Sequence, residues 1–63
     1  MKTRLYASAP TLAGIAESIN AFWCSENYRV NPDTLEIEND LRAVPKGYRV
    51  IKKGGRYRFE ALV

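Results

Sequence analysis

The longest regular pattern of apolar positions runs from Leu12 to Trp23 and has the period of an α-helix. With each residue placed 100° further around a helix axis, the apolar side chains fall within an arc of about 120°. They are Leu12, Ile15, Ala16, Ile19, Phe22 and Trp23. The pattern predicts one amphipathic helix of about 14 residues. Ser8 is its predicted N-cap, with Pro10 in the first turn, and Asn27 is the predicted left-handed residue after its end.

Before and after this helix the pattern changes to period two, which is typical of β-strands. Residues 2–7 alternate between two faces, and either face suits burial. Residues 28–38 predict a hairpin whose loop, residues 31–34, is a type I turn with the sequence NPDT. In that register Val30 lies opposite Leu35, and Tyr28 lies opposite Ile37. Arg29 then pairs with Glu36 on the other face.

A second hairpin is predicted around Gly54 and Gly55, because glycine accepts the positive φ angles of the primed turns that join twisted strands. Its two facing segments pair in one register whether the loop has two or four residues. The predicted pairs are Tyr48 with Ala61, Arg49 with Glu60, Val50 with Phe59, Ile51 with Arg58, Lys52 with Tyr57 and Lys53 with Arg56. The aromatic rings of Tyr57 and Phe59 then face the helix, since burying an aromatic ring is strongly favourable.

Residues 39–47 fit two descriptions, a single helical turn capped by Asp40 or an irregular crossover. The whole pattern predicts an α+β fold in which one helix packs on one face of an antiparallel sheet, in the order β-α-β-β-β-β. Residues 1–63 are expected to form a single small domain. No second helix is predicted to cover the opposite sheet face, so that face is the natural contact surface.

Charge changes this picture, because it is distributed unevenly. Residues 1–41 carry three basic and six acidic side chains, whereas residues 42–63 carry seven basic side chains and Glu60 as the one acid. A polarised field of this kind steers anionic partners. The predicted outward cations of the second hairpin are Arg49, Lys53, Arg56 and Arg58, with Lys46 and Arg42 extending the patch.

Two interpretations of this basic patch stay open. Cations spaced along two adjacent strands suit the phosphates of a nucleic acid, with weak preference for base sequence. Alternatively, the charges keep an exposed hairpin soluble and protect its edge from aggregation. The first interpretation predicts a small nucleic-acid-binding protein, and it is the leading functional hypothesis.

A competing hypothesis is a protein-binding adaptor or inhibitor, which includes a homodimer and would suit a phage or a mobile element. It rests on the open sheet face and on the helix side opposite the apolar stripe, where small residues permit close approach by a partner. The candidate interface residues there are Gly14, Ser18 and Ala21.

Catalysis is not expected. The chain has no histidine, so it lacks the usual general base near neutral pH and the usual metal ligand. Cys24, the only cysteine, is predicted to be a buried or half-buried structural residue at the end of the helix. The acidic run Glu36, Glu38 and Asp40 is better explained by ion pairing than by a metal site. We expect no cofactor, no small-molecule substrate, no signal peptide, no contact with a membrane and a cytoplasmic location.

Overall fold

A computed structural model describes residues 2–62 and places one helix and five strands along them. In chain order they are β1 (Thr3–Ala9), α1 (Leu12–Phe22), β2 (Tyr28–Val30), β3 (Ile37–Asn39), β4 (Tyr48–Lys53) and β5 (Arg56–Leu62). The strands form a three-stranded antiparallel sheet, in the order β1-β5-β4, and a separate two-stranded ribbon of β2 and β3. The helix packs against β1, β5 and β2. The predicted α+β arrangement is confirmed.

The core lies between the helix and the inner face of the three-stranded sheet. Ile15 and Ile19 of α1 and Phe59 of β5 are fully buried there. Trp23 closes one end of the core, with its ring centroid 4.7 Å from that of Tyr28 and 5.4 Å from that of Phe59. Tyr57 is half-buried against the same cluster. The predicted inward direction of the β5 rings is therefore confirmed.

The start of the helix differs from the prediction. Thr11 is the N-cap, and its hydroxyl oxygen accepts a hydrogen bond of 3.0 Å from the amide of Gly14. Ser8 was the expected cap, but it continues β1 and lies opposite Arg58. The capping prediction was wrong because strand pairing with β5 extends through Ala9, which delays the start of the helix.

The end of the helix also differs, and α1 has 11 residues rather than about 14. The amide of Ser25 donates to the carbonyl of Asn20, and the amide of Cys24 donates to that of Ala21. These two bonds form a Schellman motif, whose left-handed residue is Cys24 with φ of 51°, not Asn27. Cys24 is exposed, so the prediction of a buried cysteine was wrong.

Strand β1 contains an irregularity that resolves its two-face pattern. Leu5 lies opposite Glu60 and Ala7 lies opposite Phe59, so Tyr6 is an extra residue in a β-bulge. The exposed Tyr6 ring packs against that of Phe22, with the centroids 4.6 Å apart, and lies 5.9 Å from the buried Phe59 ring. Before the bulge both faces of β1 are exposed, and after it Ala7 is half-buried and Ala9 is buried against the core.

The ribbon has the predicted faces but not the predicted register. Val30 lies opposite Ile37 and Arg29 lies opposite Glu38, a shift of two residues. The shift arises because the loop spans residues 32–35, with the amide of Asn31 bonded to the carbonyl of Glu36. Leu35 takes a left-handed conformation, with φ of 61°, to close this longer loop. A shift of two leaves the buried face unchanged, since side chains alternate with period two.

The second hairpin forms in the predicted register at all six pairs, from Tyr48 opposite Ala61 to Lys53 opposite Arg56. Gly54 and Gly55 have φ angles of 61° and 78°, as a type I′ turn requires. Residues 40–47, in contrast, contain no helical turn and form the irregular crossover. Oδ1 of Asn39 accepts hydrogen bonds from the amides of Leu41 and Arg42 at the start of this segment. The predicted cap at this place was Asp40.

Candidate nucleic-acid interface

The outer face of the three-stranded sheet, turned away from the helix, carries the candidate site. Register places four cations on it: Arg49 and Lys53 of β4, and Arg56 and Arg58 of β5. Strand β1 adds Ser8 next to Arg58, and Leu5 next to Glu60. Most of these side chains are exposed. The four hairpin cations predicted to point outward therefore do share one accessible face.

Glu60 lies near the centre of this outer face and organises two of its cations. Its Oε1 accepts hydrogen bonds from Nε and Nη2 of Arg49 at 3.2 and 3.1 Å, and its Oε2 accepts one from Nε of Arg58 at 2.9 Å. The Glu60 side chain is only 4% exposed, while those of Arg49 and Arg58 are 43% and 32% exposed. One buried carboxylate thus fixes two guanidinium groups side by side at the surface.

The remaining hairpin cations are held less firmly. Nε of Arg56 donates to the hydroxyl oxygen of Ser8 at 3.1 Å, which directs the Arg56 side chain from β5 towards β1. Lys53 is exposed beside the type I′ turn. Lys52, on the inner side of the same strand, places its ammonium 5.7 Å from the centre of the Tyr57 ring. The tip of the hairpin is therefore cationic on both sides.

The two residues expected to extend the patch lie elsewhere. Lys46 is exposed in the loop before β4, at the end of that strand opposite the turn. Arg42 lies against the C-terminal end of the helix, where it lines a shallow cleft with Cys24 and Asn27. The structure therefore does not bring Arg42 together with the hairpin cations.

The small residues of the helix have contacts within the chain. A Cβ atom at Gly14 would lie 3.1 Å from the Cβ of Ala9, so the close approach of α1 to β1 already requires a small residue there. The hydroxyl of Ser18 donates to the carbonyl of Gly14 at 3.2 Å. Ala21 is exposed. These three residues do not form one evenly exposed surface, although they share a side of the helix.

Most of the acidic charge of the first half lies on the ribbon. Arg29 contacts the carboxylate of Asp40 with both terminal nitrogens at 2.9 Å, and that of Glu38 with Nε at 3.2 Å. The predicted partner of Arg29 was Glu36. That prediction was wrong, because the shifted register places Glu38 opposite Arg29. The hydrogen bonds from Arg29 and then its positive charge lower the pKa of Asp40.

Sequence reasoning paired Arg49 with Glu60 but missed the second arginine on the same carboxylate. The signal was present, because Arg58 and Glu60 are two residues apart on one strand and must share a face. It also missed Ser8, whose contact with Arg56 depends on the pairing of β1 with β5. No local pattern specifies which strands become neighbours in a sheet.

Comparison with protein-family models, with curated proteins and with solved structures finds no match for this chain. Within residues 2–62, no helix is long and apolar enough to cross a membrane. The same part of the chain contains no group of three or more His, Cys, Asp or Glu side chains that could together hold a metal ion.

Proposed function

We propose that this protein is a small non-enzymatic binding protein that contacts nucleic-acid phosphates through the outer face of its second hairpin. The observation that carries the proposal is the pair of arginines fixed by one buried carboxylate on an accessible sheet face. Arg56 and Lys53 extend this pair along the same face. The setting we propose is the cytoplasm.

Fixing the arginines matters because free arginine side chains lose considerable conformational freedom when they bind a phosphate. Arg58 uses only Nε to contact Glu60, which leaves both terminal nitrogens of its guanidinium as donors. Terminal nitrogens of this kind form the paired hydrogen bonds that favour arginine at phosphate sites. Glu60 therefore orients the donors at the cost of one positive charge on the face.

The inward direction of Tyr57 and Phe59 limits what kind of binding is proposed. Proteins that stack bases present aromatic rings on the contact face, but Phe59 is fully buried and Tyr57 faces the helix side. Contacts from the outer face are then mainly to phosphates. We expect strong dependence on salt and little dependence on base sequence.

A salt titration tests the proposal directly. Binding of short mixed-sequence RNA, single-stranded DNA and duplex DNA is measured by fluorescence anisotropy at increasing KCl concentrations. A log-log slope of about −0.7 to −0.9 for each neutralised phosphate is expected. Arg56→Ala should lower the affinity and make the slope less steep by about one phosphate contact.

Arg42→Ala is the matched control, since it removes the same charge from a position away from the hairpin face. A larger loss for Arg56→Ala than for Arg42→Ala supports a localised interface. Equal losses would indicate attraction by net charge alone. The proposal is overturned if the folded protein binds none of the three probes at low salt, and the charged hairpin then serves solubility.

A further inference from the structure

A second accessible feature is the cleft between the ribbon and β4, with a volume of about 370 Å³. Its apolar lining comes from Leu35 and Ile37 of the ribbon side, Val44 of the crossover and Val50 of β4. Among residues 2–62, β4 is the last strand of its sheet, so the cleft runs along a strand edge that no other described strand pairs with. Apolar pockets beside such an edge are typical of sites that bind an extended peptide.

The register shows which backbone groups this edge offers. The amide of Leu62 donates to the carbonyl of Gly47, which makes these two residues a hydrogen-bonded pair. Hydrogen-bonded and non-bonded pairs alternate along an antiparallel ladder. Arg49, Ile51 and Lys53 therefore bond to β5, whereas the amides and carbonyls of Tyr48, Val50 and Lys52 point towards the free edge.

The charges beside the edge exclude one occupant and select another. In a second copy of the chain paired antiparallel along β4 with Ile51 opposite Ile51, Arg49 would lie opposite Lys53, and like charges opposite each other are destabilising. An acidic strand would instead place its carboxylates opposite these two residues. Glu36 lies on the ribbon wall of the cleft, so the acids must lie on the outer side, and the residue opposite Val50 on the cleft side must be apolar.

We propose that β4 and the adjoining cleft bind an extended segment of a partner protein whose residues combine acidic and β-branched types, by adding it as a fourth strand. Paired antiparallel to β4, the segment has acids opposite Arg49 and Lys53, with apolar residues opposite Val50 and Ile51. This site shares Arg49 and Lys53 with the proposed phosphate interface, but it adds the backbone edge of β4 and the cleft, which that interface does not use.

The probe is the synthetic peptide SETVVES with blocked termini, and its charge-reversed control is SKTVVKS. Binding is followed by chemical shifts and hydrogen exchange of backbone amides in the intact protein. The amides of Tyr48, Val50 and Lys52 should shift and gain protection with SETVVES. Those of Arg49, Ile51 and Lys53 are internal controls, since they are already bonded to β5. SKTVVKS should cause no such pattern.

Lys52→Pro removes one edge amide at a position where an edge strand tolerates proline. It should weaken binding of SETVVES by about tenfold or more, because a strand bond is lost and the ring obstructs pairing. Lys52→Ala removes the same charge but keeps the amide, so it should change the affinity by less than about threefold. Matching thermal unfolding curves for the two variants verify that both fold.

A test that does not depend on variant folding uses N-methylated versions of the peptide. Every second amide of the bound peptide faces β4, and the amides between them face away. Methylation of the set that faces β4 should abolish binding, whereas methylation of the other set should preserve it. Equal effects of methylating either set, or shifts in the wrong alternate set of β4 amides, overturn the proposal, as does the absence of any shift at millimolar peptide.

Failure of this proposal and failure of the proposed function are distinguishable. Arg56 points towards Ser8 and away from the free edge, so Arg56→Ala should weaken nucleic-acid binding and leave peptide binding unchanged. Compared with Lys52→Ala, Lys52→Pro should weaken peptide binding and leave nucleic-acid binding unchanged. Loss of both activities in both variants would show that Arg56 and the amide of Lys52 serve both ligands alike, which contradicts a peptide site on the edge of β4.

Discussion

The two hairpins carry ion networks of opposite composition. On the ribbon, one arginine, Arg29, contacts two acids, and the three side chains are exposed or half-buried. On the second hairpin, one acid, Glu60, contacts two arginines and is itself buried. Both networks have three members and similar distances, yet their surroundings differ.

Burial decides what each network does. Exposed ion pairs contribute little to stability, because water and salt screen them and long side chains lose freedom. A buried carboxylate has lost its hydration, so its hydrogen bonds with Arg49 and Arg58 must replace water. We therefore expect the Glu60 network to affect folding and the arrangement of the outer face, and the Arg29 network to have a much smaller effect on folding and none on that face.

The largest expected effect is that of Glu60→Gln. This substitution keeps the shape of the side chain but removes the charge that holds two guanidinium groups together. Because the arginines can still reach water, we expect a loss of about 1–3 kcal/mol in the free energy of unfolding. Urea unfolding followed by Trp23 fluorescence measures it, and Glu38→Gln on the ribbon is the matched control, with no measurable change expected.

Equal effects of the two substitutions would contradict the contrast between the networks. The same pair sharpens the functional proposal. Glu60→Gln removes one negative charge from the outer face, so it should steepen the salt dependence of nucleic-acid binding while releasing the arginines from their fixed positions. Glu38→Gln makes the same change in net charge away from that face.

A smaller effect is expected at the turn of the second hairpin. Gly54 has a φ of 61°, and a Cβ there would meet no other atom within 4 Å, so the cost of a side chain is conformational. Gly54→Ala should destabilise the fold by about 1–2 kcal/mol, since alanine disfavours the left-handed region. Gly54→Asn should be nearly neutral, because asparagine is favoured in type I′ turns. Thermal unfolding of the two variants makes the comparison, and equal losses would argue against this turn.

The smallest expected effect concerns the titration of Asp40. The hydrogen bonds from Arg29 and its positive charge lower the pKa of this carboxyl below the ordinary value of 3.8. The sign follows from linkage: the contribution of Asp40 to stability is present above its unfolded pKa and is lost as pH falls through the lower folded pKa. Carbon-detected NMR titration should show a midpoint below 3.8, and Arg29→Gln should return it to the ordinary range. A midpoint above 3.8 in the unsubstituted protein would contradict the observed contact.

The same two hairpins show how far sequence reasoning reaches. The register of the second hairpin was predictable because Gly54 and Gly55 favour positive φ angles and fix a two-residue turn. In the ribbon, NPDT indicated a turn, but nothing in those residues required Leu35 to take the left-handed conformation that shifts the pairing by two. Leucine is rarely found there, so a local rule predicted the shorter loop.

The candidate site likewise has one part that local sequence determines and one part that depends on contacts between distant segments. The outward direction of Arg56 and Arg58 came from alternation within one strand, which local sequence determines. The contact of Arg56 with Ser8 came from the pairing of the first strand with the last, across most of the chain. The bulge at Tyr6 likewise depends on both paired strands, since two residues of β1 must fit against one of β5.

The exposed thiol of Cys24 has a practical consequence for the competing hypothesis of self-association. An accessible lone thiol oxidises in air to a disulfide between two copies, and the covalent product would resemble a native dimer on a sizing column. Sizing is therefore best carried out with Cys24→Gly, which removes the thiol and supplies the residue type that a left-handed helix terminus prefers. Any dimer that this variant still forms owes nothing to oxidation.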